Sequence, residues 1–204
     1  MKPLLVLFGM TTFSIFYPMG SIAQVPTDPN TGKYSYTNVI VLDNMSSKAE
    51  LYARAKLWLI ATLIAEQSDL PYQDEESGTL IGNGNFNVNY ERVGAIRVDR
   101  LTTNISFTMK ISTKDGKYRY EISNFYYLII AWNLTDGDGN ILPINNTKTP
   151  LESGLAVKSA LISTISPSNL NAANRWYYEI DNTIREKIAS LAKAMQPKVG
   201  DDNW

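Results

Sequence analysis

The side-chain types that the chain lacks restrict its chemistry more than those it contains. Its 204 residues include no histidine and no cysteine, whereas a Ser-His-Asp triad, a cysteine nucleophile and an ordinary zinc site each need one of them. Paired carboxylates, a catalytic lysine, and calcium or magnesium held by oxygen ligands stay possible. A catalytic or metal site must therefore be sought mainly among aspartates, glutamates and lysines.

Alternating oxygen ligands occur at Asp136, Asp138 and Asn140, in the spacing that opens a calcium-binding loop. Ile141 stands where such a loop needs glycine, and Thr147 stands where it needs a bidentate glutamate. The pattern is more typical of a flexible Asp/Gly turn. These three residues are thus a weak metal candidate, and we predict no metal site and no cofactor.

Two other short motifs are better explained by chain geometry than by a ligand. Gly82-Asn83-Gly84 lacks the Lys-Ser/Thr of a phosphate-binding loop and precedes a strand, so we expect a bulge or close backbone packing there. Asp74-Glu75-Glu76 lies between Pro71 and Gly78, which indicates a solvated turn rather than a carboxylate site.

The clearest pattern is an alternation of polar and apolar residues in three segments, Asn85 to Tyr90, Ile105 to Ile111 and Tyr118 to Ile122. A period of two is typical of strands with one apolar face, and Asp115-Gly116 is a hairpin signal. We expect an antiparallel sheet with one solvated face. An ordinary wet face has the same pattern, but neutral donors and acceptors also suit carbohydrate or peptide recognition. The candidate binding residues are Asn85, Asn87, Asn89, Ser106, Thr108, Lys110, Arg119 and Glu121.

Two helices should cover the apolar face of this sheet. Ser47-x-x-Glu50 has the form of a capping box, and apolar residues follow at helical spacing, which predicts a helix over Ser47–Glu66. The same spacing returns from about Asn169. With a first strand over Tyr34–Leu42, the order is strand, helix, strand meander, helix. This order favours an α+β two-layer sandwich of about four to five strands and two helices.

Four short motifs occur in order along these elements. They are Glu50 to Trp58 on the first helix, Ser77 to Val88 at the second strand, Asp115 to Glu121 across the hairpin, and Ile188 to Met195 near the end. Together they resemble an uncharacterised family of exported Bacteroidetes proteins, the domain of unknown function 4468 with a TBP-like fold. The resemblance runs from about Val39 to Met195, except that Tyr126 to Trp132 departs from the family's pattern. It implies a curved antiparallel sheet backed by helices, and it implies no activity.

The TBP-like resemblance does not predict nucleic-acid binding. TATA-binding proteins grip DNA through a sheet, but fold does not carry function. Lys and Arg number 19 against 20 Asp and Glu, so the chain has no broad positive field for phosphates. The expected partner is an unknown protein, peptide or glycan, and no nucleic acid.

The N-terminus has the features of a signal peptide. Lys2 precedes the apolar run Leu4–Tyr17, and Ser21-Ile22-Ala23 is a small-x-small site, which predicts cleavage between Ala23 and Gln24. The alternative is an uncleaved membrane anchor, but the run is shorter than the roughly 20 residues of a spanning helix. No later segment is apolar enough to span a bilayer, so no membrane span is expected after cleavage. Export without cysteines fits a bacterial periplasmic or extracellular location.

The chain length after cleavage suits one domain with a sizeable core. Tyr126–Leu134 is compatible with one further strand, and scattered glycines and prolines follow it. The predicted organisation is a signal peptide at 1–23, an extended lead-in at 24–33, a single α+β domain at 34–196 with a loop-rich insertion at about 133–168, and a tail at 197–204.

These features favour a non-catalytic exported binding or accessory module of the bacterial envelope, acting through the polar sheet face or the insertion. The alternative is a carboxylate-dependent hydrolase acting on envelope glycan. It would need two carboxyl groups in one pocket, roughly 5 to 9.5 Å apart. A dimer formed through the helices or an edge strand is also possible, and the sequence leaves the oligomeric state open.

Overall fold

The computed structural model of the protein describes residues 25–42, 46–63, 70–93, 98–132, 147–153 and 167–197. Within these ranges the chain forms six strands and two long helices. They are β1 (Tyr36–Val41), α1 (Lys48–Thr62), β2 (Tyr72–Asp74), β3 (Thr79–Val93), β4 (Val98–Lys114), β5 (Lys117–Trp132), β6 (Thr149–Pro150) and α2 (Pro167–Ala194).

All described strands belong to one antiparallel sheet in the order β1-β5-β4-β3-β2, and β6 also pairs with β5. The predicted fold class is confirmed, but four to five strands was a low estimate. The additional strands β2 and β6 contain three and two residues, and segments that short show no readable alternation.

The apolar run from Tyr126 is the second half of β5 and not a separate strand. Asn124 has a φ of 55°, and the register between β4 and β5 shifts between Ser106 and Thr108, as in a β-bulge. Before the bulge β5 pairs with β1, and after it β5 pairs with β6. The bulge therefore lets one long strand serve two short partners along the same edge.

Helix α1 begins as the sequence predicts. The Ser47 side chain and Glu50 form the reciprocal capping box, and the Asp115 carboxylate accepts a hydrogen bond of 2.7 Å from the backbone N–H of Lys48. Both contacts satisfy N–H groups that an isolated helix leaves unpaired. The helix ends at Thr62 rather than at Glu66. Its buried face consists of Leu51, Tyr52, Ala55, Trp58 and Leu59.

Helix α2 also buries the apolar positions that its spacing predicts. Tyr177, Ile180, Ile184, Leu191 and Met195 are each at most 5% exposed. Two side chains of α1 donate hydrogen bonds to the C-terminal part of α2 and to the residue that follows it. Trp58 Nε1 donates to Ser190 Oγ at 3.1 Å, and Arg54 Nη1 donates to the Met195 carbonyl at 3.0 Å. The two helices form one layer over one face of the sheet.

The segments on either side of the sandwich contribute to its core. The lead-in is more than an extended segment, because residues 29–31 form a turn, Thr27 bridges Tyr34, and Val25 is 3% exposed. In the insertion, Leu151 is fully buried. The Glu152 carboxylate accepts a hydrogen bond of 2.9 Å from the backbone N–H of Tyr34.

Several sequence predictions fall outside the described residues. They concern the signal peptide and its cleavage site at Ala23 and Gln24, the weak calcium candidates Asp136, Asp138 and Asn140, and most of the insertion and tail. In the described part of the chain, neither helix combines the length and apolar character of a membrane span.

Candidate functional site

The sheet surface opposite the helices, called the outer face below, carries all eight predicted binding residues. Strand register places Asn85 opposite Ser106 and Lys110 opposite Glu121, and directly opposed residues share one face. The intervening positions of β4 turn inward, where Ile105, Phe107, Met109 and Ile111 are at most 2% exposed.

The centre of the outer face is an uncharged patch on β3 and β4, called the asparagine ladder below. Three cross-strand hydrogen bonds order it: Asn104 Nδ2 donates to Asn87 Oδ1 at 2.9 Å, Thr102 Oγ1 to Asn89 Oδ1 at 2.9 Å, and Thr108 Oγ1 to Asn83 Oδ1 at 3.2 Å. The ladder consists of Asn83, Asn85, Asn87, Asn89, Thr102, Asn104, Ser106 and Thr108.

The apolar alternation of the sequence does not reveal Asn83, Thr102 and Asn104 as outward residues. On β3 the inward positions before Phe86 are Gly84 and Gly82, and without side chains they do not register as an apolar alternation. Gly84 is required by close packing, because a Cβ there would clash with the ring of Phe107. The predicted close backbone packing is thereby confirmed, and the β3–β4 register has no bulge at this point.

Charged residues lie at one end of the outer face. Arg119 Nη2 is 3.6 Å from Glu121 Oε2, with side chains 56% and 38% exposed, and Lys110 is opposite Glu121. Such a long, exposed ion pair contributes little to stability. With Ser112, these three residues line a hollow of about 40 Å³.

Two partly exposed tyrosines accompany the ladder. Tyr126 pairs across the sheet with Ser106, and Tyr72 pairs with Ile81; the two rings are 37% and 46% exposed. The Tyr72 hydroxyl is 3.3 Å from Asp74 Oδ2, and the negative charge of Asp74 raises the pKa of Tyr72. The face thus combines amide, hydroxyl and aromatic groups.

The motif at Asp74-Glu75-Glu76 forms the predicted turn. Asp74 Oδ1 accepts hydrogen bonds from the backbone N–H of Glu76 at 3.0 Å and of Ser77 at 3.1 Å. Hydrogen bonds from Ser77 are the main reason that the pKa of Asp74 is lowered. This carboxylate stabilises its own turn.

A second polar arrangement joins α2 to β1. The Tyr36 hydroxyl donates to Asp181 Oδ1 at 2.8 Å, and Arg185 Nε donates to Asp181 Oδ2 at 2.9 Å. Burial, followed by the hydrogen bond to Asp181, raises the pKa of Tyr36. Tyr36 and Asp181 are 145 residues apart, so no local sequence signal predicts their contact.

Four of the described carboxylates stabilise the fold. Glu50 completes the capping box, Asp115 caps α1, Glu152 binds the Tyr34 backbone and Asp181 binds Tyr36. In the described ranges no group of three or more Asp or Glu residues could hold a metal ion.

The comparisons with known proteins agree with this architecture. Residues 36–128 match the domain of unknown function DUF4468 with TBP-like fold. This part of the chain is a domain of that family. The match ends close to Tyr126, where the sequence departs from the family's pattern, and it does not extend to the fourth motif, Ile188 to Met195.

Two crystal structures resemble the whole sandwich. A DUF4468 family protein from Bacteroides ovatus has a TM-score of 0.55 and 17% identity, over 86% of this chain and 93% of the other. A TBP-like protein from Parabacteroides distasonis has a TM-score of 0.51 and 18% identity, over 82% of this chain and 97% of the other. These likenesses support the TBP-like fold alone. No curated protein matches the chain significantly.

Proposed function

We propose that this domain is a non-catalytic binding module of the bacterial envelope whose asparagine ladder recognises a neutral, hydrogen-bonding glycan. The observation that carries the proposal is the composition of the ladder. Its eight adjoining outward positions are all Asn, Ser or Thr, although the same face also carries Lys110, Arg119 and Glu121. A solvated face with interspersed charges would not leave so large an uncharged patch.

Asparagine is an unfavourable residue for a strand. Four alternate residues of β3 are nevertheless asparagines, and Asn104 on β4 makes a fifth. Conflicts between local propensity and the fold concentrate at functional sites. The loss of strand propensity is consistent with selection for amide groups that bind a ligand.

The ladder also suits recognition because its side chains are already ordered. Cross-strand hydrogen bonds restrain Asn83, Asn87 and Asn89, which reduces the entropy lost on binding. Asn, Ser and Tyr are also the adaptable and aromatic residues of many protein binding surfaces. Peptides more often add to a sheet edge, so the use of a sheet face favours a glycan.

The proposed location in the envelope depends on the signal peptide predicted for residues 1–23. The organisms of the two similar structures, a Bacteroides and a Parabacteroides species, are compatible with a bacterial envelope. Cleavage is tested by N-terminal sequencing of the protein recovered from its host, for which we expect Gln24 as the first residue.

The binding site is tested by NMR titration of the isotope-labelled full chain with three neutral probes: chitohexaose, maltohexaose and a capped, uncharged hexapeptide. A glycan on the outer face should shift the side-chain amide signals of Asn85, Asn87 and Asn104. The side-chain amide of Asn182, on α2, is the internal control and should not move.

The probe that moves the amide signals identifies the ligand class. Shifts with either glycan support the proposal, and shifts with the peptide alone would replace the glycan by a peptide. Ladder signals that stay fixed with all three probes would refute the assignment of a binding role to this face.

A further inference from the structure

A groove of about 800 Å³ lies beyond the outer face, where the start of β1 meets the lead-in and α2. Small-molecule sites commonly have volumes of about 300 to 1,000 Å³. The lead-in supplies Pro26 to Asn30, and β1 with its preceding residue supplies Ser35 to Thr37. The proposed glycan site does not account for this groove.

Part of the groove lining is apolar. This apolar part, called the apolar wall, consists of Pro26 and Pro29 of the lead-in and Ile188, Ala189 and Ala192 of α2. Such a wall can hold the hydrocarbon part of a small ligand, since burial of apolar surface is favourable.

The polar part of the groove contains a fixed guanidinium. Arg185 lines the groove with its side chain 59% exposed. The Nε of Arg185 donates a hydrogen bond of 2.9 Å to Asp181, and the Tyr36 hydroxyl donates one of 2.8 Å to the same carboxylate. The Cζ of Arg185 lies 6.0 Å from the centre of the Tyr36 ring. Among the described residues, the two Nη atoms of Arg185 have no hydrogen-bond acceptor.

Arg185 forms an ion pair with Asp181, and the described groove lining adds one further cation and one carboxylate. Arg119 is a second cation, with a loose contact of 3.6 Å to Glu121. Asp28 is the groove's carboxylate in the described part of the chain, and its Oδ1 accepts hydrogen bonds from the backbone N–H groups of Asn30 and Thr31 at 2.7 and 3.3 Å. Arg119 and Arg185 therefore both line the groove, whereas the carboxylate of Asp28 stabilises the turn of the lead-in.

We propose that this groove binds a small molecule with an apolar body and one oxyanion, a carboxylate or a phosphate, and that the oxyanion accepts paired hydrogen bonds from the Nη atoms of Arg185. A guanidinium fork matches both anions. The Tyr36–Asp181 pair acts as a positioning device, because it fixes the orientation of the fork before a ligand arrives.

The full chain is titrated with benzoate, phenyl phosphate, inorganic phosphate and uncharged benzyl alcohol, and the NMR signal of Arg185 Nε–H is followed. We expect benzoate or phenyl phosphate to move this signal and benzyl alcohol to leave it fixed. Benzoate alone identifies a carboxylate site and phenyl phosphate alone a phosphate site. Tighter binding of phenyl phosphate than of inorganic phosphate would show the contribution of the apolar wall.

The matched variants are Arg185→Gln and Arg175→Gln, which remove the same charge from the same helix. Arg175 is exposed and does not line the groove. Arg185→Gln should weaken binding of the anion by about ten-fold or more, and Arg175→Gln should change it less than about two-fold. The variant Arg185→Lys should recover only part of the affinity, because lysine keeps the charge without the fork.

Two results would overturn the proposal: no shift of the Arg185 signal in the wild-type chain with either aromatic anion, or equal weakening by the two glutamine variants. The first result does not depend on any variant folding. The groove and the ladder are also separable, because the variant Asn85→Thr should bind the anion like the wild type.

Discussion

At individual positions, the residues through which the chain resembles its family make intramolecular contacts. Glu50 caps α1, Arg54 binds the last turn of α2, Trp58 binds Ser190 and Asp115 binds the start of α1. The motifs therefore specify how two helices sit on a sheet. The second and third motifs also span outward-facing candidate residues, among them Asn85, Asn87 and Arg119.

Gly84 is the position where a single added carbon should be most costly. In the variant Gly84→Ala the new Cβ would clash with the ring of buried Phe107, so we expect a loss of about 1 to 3 kcal/mol in the free energy of unfolding. Gly82→Ala, on the same strand, meets Leu59 Cδ2 at 3.3 Å and should cost less. Urea denaturation of both variants measures the difference, and equal losses would contradict it.

The stability of the fold should also depend on the hydroxyl group of Tyr36. Tyr36→Phe leaves Asp181, with its side chain 11% exposed, without one of its two hydrogen bonds. We expect a loss of about 1 to 3 kcal/mol, measured by urea denaturation. The control Tyr178→Phe changes a side chain that is 53% exposed and should have almost no effect. A neutral Tyr36→Phe variant would show that the Asp181 network does not stabilise the fold.

At the level of elements, the sequence predicts features that are local and periodic. The capping box, the Asp115-Gly116 hairpin and the alternation of β4 each involve residues a few positions apart, and each is present. The early part of β3 was missed because glycines replace its inward side chains. The bulge at Asn124 and the Tyr36–Asp181 contact depend on partners distant in sequence. A short-range sequence pattern therefore cannot predict them.

The asparagine ladder predicts a trade-off between stability and binding. In Asn85→Thr, a residue with higher strand propensity replaces one that accepts only a long hydrogen bond of 3.5 Å from Asn104 Nδ2. The new threonine would face Ser106 across the strands, and we expect a gain of about 0.5 kcal/mol in the free energy of unfolding. Thermal and urea denaturation measure it. A destabilised Asn85→Thr variant would indicate that the asparagine is there for structural reasons.

For the whole molecule, buried tyrosines predict how stability depends on alkaline pH. Burial raises the pKa of Tyr118 to about 12, and burial is also the main cause of the raised pKa of Tyr34, Tyr36 and Tyr177. Because the unfolded pKa is about 10, this contribution to stability is complete below about pH 10 and is lost as the pH rises through the folded pKa.

We therefore expect the urea midpoint to fall steeply between about pH 10 and about pH 12. Absorbance at 295 nm should show the exposed tyrosines ionising first and the buried group ionising only with unfolding. Ionisation of all 12 tyrosines in one step near pH 10, while the protein stays folded, would contradict this prediction.

We propose the asparagine ladder as a recognition surface for a neutral glycan. Calorimetry can compare the binding of chitohexaose and of maltohexaose to the wild type, to the double variant Asn85→Thr/Asn87→Thr, and to Lys193→Ala, an exposed position on α2. For the glycan that the wild type binds, we predict at least about ten-fold weaker binding by a ladder variant that remains folded, and wild-type binding by Lys193→Ala. Unchanged affinity in the ladder variant, or binding of neither glycan by the wild type, would show that the ladder does not recognise a neutral glycan.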